Sequence, residues 1–196
     1  MTAVYPDLVL VEFYNGTAWV DISAYVVGDI HGTRGLGGWQ PTKRVAMLGT
    51  LIVVLNNKAK LFSPMGGDAA RGLNTLTGFT RGAKIRVRIL YRGSYYVRWM
   101  GRILTIDSDD KNWGNEHARV YATDWMDVPA NFPMKRADIA LDKTMDEAIA
   151  LILARLSLQP EATDIDVGTF EFPAVFDGVK NRTMAIGELN KLALPE

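Results

Sequence analysis

The chain has 196 residues, 48% of them apolar, and Lys+Arg and Asp+Glu both number 22. This length allows one substantial core or two modest ones, since domains cluster around 100–150 residues, and a net charge of zero gives no global attraction to nucleic acid or an acidic membrane. With no cysteine there are neither disulfides nor thiolate metal sites, which suits a reducing compartment.

The opening stretch, residues 1–16, lacks the basic n-region and small-residue cleavage site of a signal peptide, and Asp7 and Glu12 interrupt it. No apolar run reaches the roughly 18 residues a spanning helix needs, so the expectation is a soluble intracellular product. Leu8 to Tyr14 reads as a strand, and Asn15-Gly16 is a hairpin signal leading into a second strand over Thr17 to Ile22. Tyr25 to Ile30 suits a third. His31 to Gly38 holds four glycines in eight residues and reads as a loop. Residues 49–56 form a strand apolar on both faces, followed by a long loop over about 57–82. The clearest hairpin runs from Lys84 to Tyr91, turns at Arg92-Gly93-Ser94 and returns from Tyr95 to Ile106. In its first arm Ile85, Val87 and Ile89 alternate with Lys84, Arg86 and Arg88, the period of a strand with one buried face. Glu116 to Asp124 is a last strand, after the acidic turn at 107–110. Short strands at this spacing predict a mainly β fold, an antiparallel barrel or a sandwich, over residues 1–130.

Beyond Asp124 the character changes. Pro129 and Pro133 bracket a linker, and Thr144-Met145-Asp146-Glu147 has the form of a capping box, opening a helix whose apolar positions recur at helical spacing to Leu156. A strand at Thr169 to Phe172 and a helix from Thr183 to Leu192 complete a small α/β segment over 131–196. A region this small packs on its neighbour, needs a partner or is the cut-short start of a second domain.

Little here points to catalysis. The histidines, His31 and His117, are far apart in sequence, and no serine sits in a nucleophile elbow. The acidic turn fails as a calcium loop, since Lys111, Asn112 and Ala118 stand where a ligand, a glycine and a bidentate glutamate are required. Gly35-Leu36-Gly37-Gly38 lacks the Lys-Ser/Thr of a phosphate loop. Asn15-Gly16-Thr17 and Asn181-Arg182-Thr183 match the glycosylation pattern, which carries no weight without secretion. The chain is therefore read as a non-enzyme with no catalytic residue, metal or cofactor. One local anomaly stands out: Arg81, Lys84, Arg86, Arg88, Arg92, Arg98 and Arg102 fall within 22 residues without an acidic one, interleaved with Tyr91, Tyr95, Tyr96 and Trp99. Such a surface binds single-stranded nucleic acid, meets an acidic patch on a neighbouring subunit, or keeps an edge strand soluble.

Trp19-Val20-Asp21-Ile22, Arg34-Gly35, Gly49-Thr50-Leu51 running into Leu55-Asn56-Asn57, Leu61-Phe62-Ser63-Pro64, Gly82 before Ile85-Arg86-Val87, and Gly101-Arg102-Ile103 succeed one another in a recognisable order. Together they resemble the N-terminal barrel of bacteriophage tail hub proteins, the baseplate-hub and tail-associated family. Ala122-Thr123-Asp124 is similar to the segment that closes that barrel, and Thr144 to Leu156 to the helix beginning the next domain. The likeness covers about residues 17–156, and the chain departs from the family by stopping where hub proteins continue through a second barrel.

The resemblance implies a structural virion protein of the tail tip, made in the host cytoplasm. It would be a homo-oligomeric ring, a trimer by likeness, joining the tail tube to the tip or baseplate and surrounding the DNA channel. The partners implied are tail-tube, tape-measure, and tip or spike proteins. The seven basic residues would lie at a subunit interface or line the channel, and Leu51, Val53, Leu55 and Phe62 would form an interface strand and loop. The competing expectations are a barrel binding single-stranded nucleic acid through residues 81–102, and a carbohydrate-binding module using Trp39 and Trp113.

Overall fold

The computed structural model describes residues 8–36, 46–63, 76–108, 116–134, 138–176 and 183–193. The expectations placed on Trp39, Pro64, Trp113, Gly37-Gly38, Lys111-Asn112 and Asn181-Arg182 lie outside those ranges. The chain divides into two compact units, Met1–Arg34 with Gly49–Asp124, and Gly35–Leu48 with Trp125–Glu196.

The first unit is organised by one antiparallel sheet. Its strands are β1 (Leu8–Tyr14), β2 (Trp19–Asp21), β3 (His31–Leu36), β4 (Ala46–Asn56), β5 (Lys84–Tyr91), β6 (Ser94–Ser108) and β7 (His117–Thr123), in the spatial order β2-β1-β5-β6-β7-β4-β3. The β1–β2 hairpin forms where Asn15-Gly16 predicts it: Gly16 sits at φ +99°, and the Asn15 side-chain oxygen accepts from the amides of Thr17 and Ala18 at 2.9 and 2.8 Å.

The sheet is open, which corrects the expected closed barrel. Strand number and spacing are the same for an open sheet and a barrel, whereas closure demands a continuous ladder between the two edges. Here the edges are β2, only three residues long, and β3. After β2 the chain turns through a short 3-10 segment at Ser23–Tyr25. It then meets β4 through a single bridge, Val26 to Leu55, and one amide bond, Val27 N–H to the Val54 carbonyl at 2.8 Å.

Two other expectations change. The glycine-rich stretch at His31 is strand β3 rather than a loop as far as Leu36. Its backbone is held by tertiary partners: Thr33 Oγ1 lies 2.8 Å from Thr50 Oγ1 and accepts from the Thr50 amide at 3.2 Å, and the Trp99 indole donates to the Thr33 carbonyl at 3.3 Å. The third strand expected at Tyr25 to Ile30 is only the Val26 bridge.

The core runs along one face of the sheet, where Val11, Phe13, Leu51, Val53, Leu55, Ile85, Ile103 and Val120 are all buried. A chain of edge-to-face rings seals it, with centroids of Phe13–Phe79, Phe62–Phe79 and Tyr25–Phe62 5.1, 5.0 and 5.2 Å apart. The turn after β4 contributes to this core. Buried Asn57 accepts from the Phe62 amide at 2.9 Å through its side-chain oxygen, which folds the chain back and drops Phe62 inside.

The second unit has its own core of Met134, Ala148, Ile152, Leu156, Val175, Phe176, Ala185 and Leu192. It holds α1 (Asp127–Asn131), α2 (Met145–Leu153) and α3 (Ala185–Leu192), with β8 (Ala140–Thr144) and β9 (Glu171–Val175) paired antiparallel. The capping box forms at the start of α2, where Glu147 reaches back to the Thr144 amide at 3.3 Å. Helix α1 overlaps the stretch between Pro129 and Pro133 expected to be a linker.

Candidate interface on the β5–β6 hairpin

The hairpin β5–β6 and its approach carry all seven basic residues of the anomalous stretch, and the structure gives them different fates. Register pairs Glu12 of β1 with Arg86, so the two side chains share the outward face. Arg86 Nε donates to Glu12 Oε2 at 2.8 Å, and Arg88 donates through Nε and Nη2 to Glu12 Oε2 and Oε1, both at 2.6 Å. Glu12 is 5% exposed. The guanidinium of Arg86 also lies 4.0 Å from the ring centre of Trp19, and that of Arg88 4.6 Å from Tyr95. A ladder of Trp19, Arg86, Glu12, Arg88 and Tyr95 thus crosses β2, β1, β5 and β6.

Burial disfavours the charged form of Glu12, but the bonds from Arg88 and Arg86 and their positive charge outweigh it, leaving the carboxyl below its ordinary range. Two of the seven cations are therefore consumed internally by one carboxylate. Sequence reading missed this partner because Glu12 and Arg86 are 74 positions apart. The available signal was a lone acid inside Leu8 to Tyr14, on the strand that pairs with a basic face.

Of the remaining five, Arg102 donates to the Gly82 carbonyl at 3.1 Å, Arg92 lies over Tyr91 at 5.3 Å, and Lys84 stands 6.0 Å from the Tyr14 ring. Arg81 is exposed. Arg98 occupies a β-bulge: Val87 pairs with Trp99 and Arg88 with Val97, leaving Arg98 as the surplus residue.

Beyond the bulge the hairpin changes character. Leu8, Tyr95, Tyr96 and Val97 are exposed to 45, 50, 50 and 47%. Tyr95 and Val97 stand on the face that carries Arg88, and Tyr96 on the other, and exposed apolar side chains grouped in this way mark interaction sites. The proposed interface residues of the strand at 49–56 lie elsewhere. Leu51, Val53, Leu55 and Phe62 are core, at 1, 0, 0 and 0% exposure, and the outward, half-buried members of β4 are Ile52 and Val54.

His31 is exposed on β3 at the sheet edge. His117, on β7, lines a cavity of about 360 Å³ with Asp107, Ser108, Arg119 and Val54. Among the described residues no cluster of three or more His, Cys, Asp or Glu could hold a metal, and no helix is long and apolar enough to cross a membrane.

No family model matches the sequence, and no curated protein sequence matches it. Solved structures do. The chain is similar to the 43 kDa tail protein of prophage MuSo2 from Shewanella oneidensis, at 10% identity and a TM-score of 0.52, covering 94% of this chain and 48% of that one. It also matches a chain of the half-lidded Francisella PdpA–VgrG complex at 9% identity and a TM-score of 0.44, over 90% of this chain and 27% of that one. The chain thus spans about half the length of the prophage protein it matches, and with that protein it shares a fold.

Proposed function

We propose that this chain is a structural component of a phage tail tip, a hub-type protein that assembles into a ring joining the tail tube to the tip or baseplate around the channel through which DNA passes. The observation that carries this reading is the apolar tip of the β5–β6 hairpin, with Tyr95, Tyr96 and Val97 about half exposed on a fold similar to that of a prophage tail protein. Large apolar side chains held half in water at one end of a hairpin are what an interface covers. The work is mechanical rather than chemical, and no catalysis is assigned.

Solution mass by light scattering, paired with negative-stain images, tests it. A multiple of the chain mass and ring-shaped particles are expected, and a monomer at every accessible concentration overturns the reading. Binding of single-stranded nucleic acid through the same hairpin is the competing function, weakened because Arg86 and Arg88 are already paired with Glu12. A filter-binding titration at two salt concentrations separates the two, since phosphate contacts produce a steep salt dependence.

A further inference from the structure

On the first unit, Val9, Ile30, Leu51, Val87 and Trp99 line a cavity of about 510 Å³, with Asp29, Arg34 and Arg98 among its other lining residues. The bulge supplies one of these: Arg98, the surplus residue of β6, makes no hydrogen bond or ion pair through its side chain among the described residues. Arg34 is held beside it, donating from Nη1 to the Arg98 carbonyl at 2.6 Å. With Asp29 the only acid among the described lining residues, these side chains set an excess of positive charge over an apolar floor.

The second unit carries the opposite surface. Residues 161–173 contain Glu161, Asp164, Asp166 and Glu171 and no basic residue, and Val167 within them is 82% exposed. Its neighbour Gly168 is pinned. The Gly168 amide donates to Asp146 Oδ1 at 2.9 Å, and a Cβ at Gly168 would stand 2.9 Å from the Met145 nitrogen, so only glycine lets the chain sit so close to the start of α2. The anchor holds the segment down immediately beside Val167 and leaves that side chain in water. Asp164 and Asp166, just before it, have no side-chain partner among the described residues.

We propose that the cavity receives the Asp164–Val167 segment of a second copy of this chain, with Val167 seated against Trp99 and the aspartates meeting Arg34 and Arg98. The proposal rests on the assembly reading and gives it a direction. Two different patches of one chain make a head-to-tail contact, which repeats into a closed ring when the rotation permits. Opposite charges on the two patches match them in register and sign, while the apolar knob and floor supply the burial.

The test titrates a fluorescent peptide of residues 161–169 into the full chain carrying Val167→Asp, which disables the receptor's own segment. Anisotropy is expected to show saturable binding, weakened at least tenfold by Arg98→Glu, weakened less by Arg98→Gln, and regained by Arg98→Glu when the peptide carries Asp164→Lys and Asp166→Lys. Absence of saturable binding, equal binding of a scrambled peptide, or indifference to both Arg98 substitutions overturns the contact. Light scattering separates this from the assembly reading: rings that persist in Val167→Asp remove this contact alone, whereas an unmodified chain that stays monomeric removes both.

Discussion

The base and the tip of the β5–β6 hairpin are built from similar residues and serve opposite ends. At the base, Ile85, Val87 and Trp99 point into the core, and outward Arg86, together with Arg88 just past the bulge, spends its charge on Glu12. Past the bulge, Tyr95, Tyr96 and Val97 have no comparable cover. A basic-aromatic composition is therefore two things in one hairpin: an internal brace where a buried carboxylate lies opposite, and a free surface where none does. Composition alone merges them, and burial separates them.

The sharpest way to break this contrast is at the base. Ile85→Ala removes a fully buried side chain and should cost about 3–4 kcal/mol, read as a lower denaturation midpoint with no specific effect on assembly. Glu12→Gln keeps the shape but leaves Arg86 and Arg88 without their counter-ion, for an expected loss of about 2–3 kcal/mol. Urea denaturation measures it, and a loss below a few tenths of a kcal/mol would show that the brace is ornamental.

Acid sharpens the same point. Because the folded carboxyl of Glu12 titrates below its ordinary value, the brace contributes fully above the unfolded-state pKa. Its contribution is lost as pH falls through the folded one. Denaturation midpoints should thus decline on acidification, and more steeply in the parent chain than in Glu12→Gln. The smallest effect on folding belongs to the tip: Tyr95→Ser with Val97→Thr should change stability by only about 0.5 kcal/mol, while lowering the assembled fraction in light scattering.

The sequence signals that held were local ones. Alternation of Ile85 and Val87 with Lys84 and Arg86 marks β5, Asn15-Gly16 marks the first hairpin, and Thr144 with Glu147 marks the start of α2; each depends on residues a few positions apart. The failures were questions of long-range pairing. β3 was hidden by Gly32 and Gly35, because its order comes from Thr50 and Trp99 rather than from its own propensity. Closure of the sheet turns on whether β2 and β3 meet, which no strand records in its own composition. At the candidate interface the basic residues were legible but their neutralisation was not, since Glu12 reaches them only through the β1–β5 pairing. Phe62 was visible as part of a turn, while its place in the core comes from Asn57 folding that turn inward.

Deleting one residue from a strand ordinarily exchanges its two faces and ruins the fold. The bulge makes β6 an exception at one position: with Arg98 gone, Val97 and Trp99 would become direct neighbours while each kept its present opposite number on β5. A chain shortened by that residue should fold with the same sidedness and a straighter hairpin. Arg98 is thus a surplus residue that the architecture tolerates rather than requires.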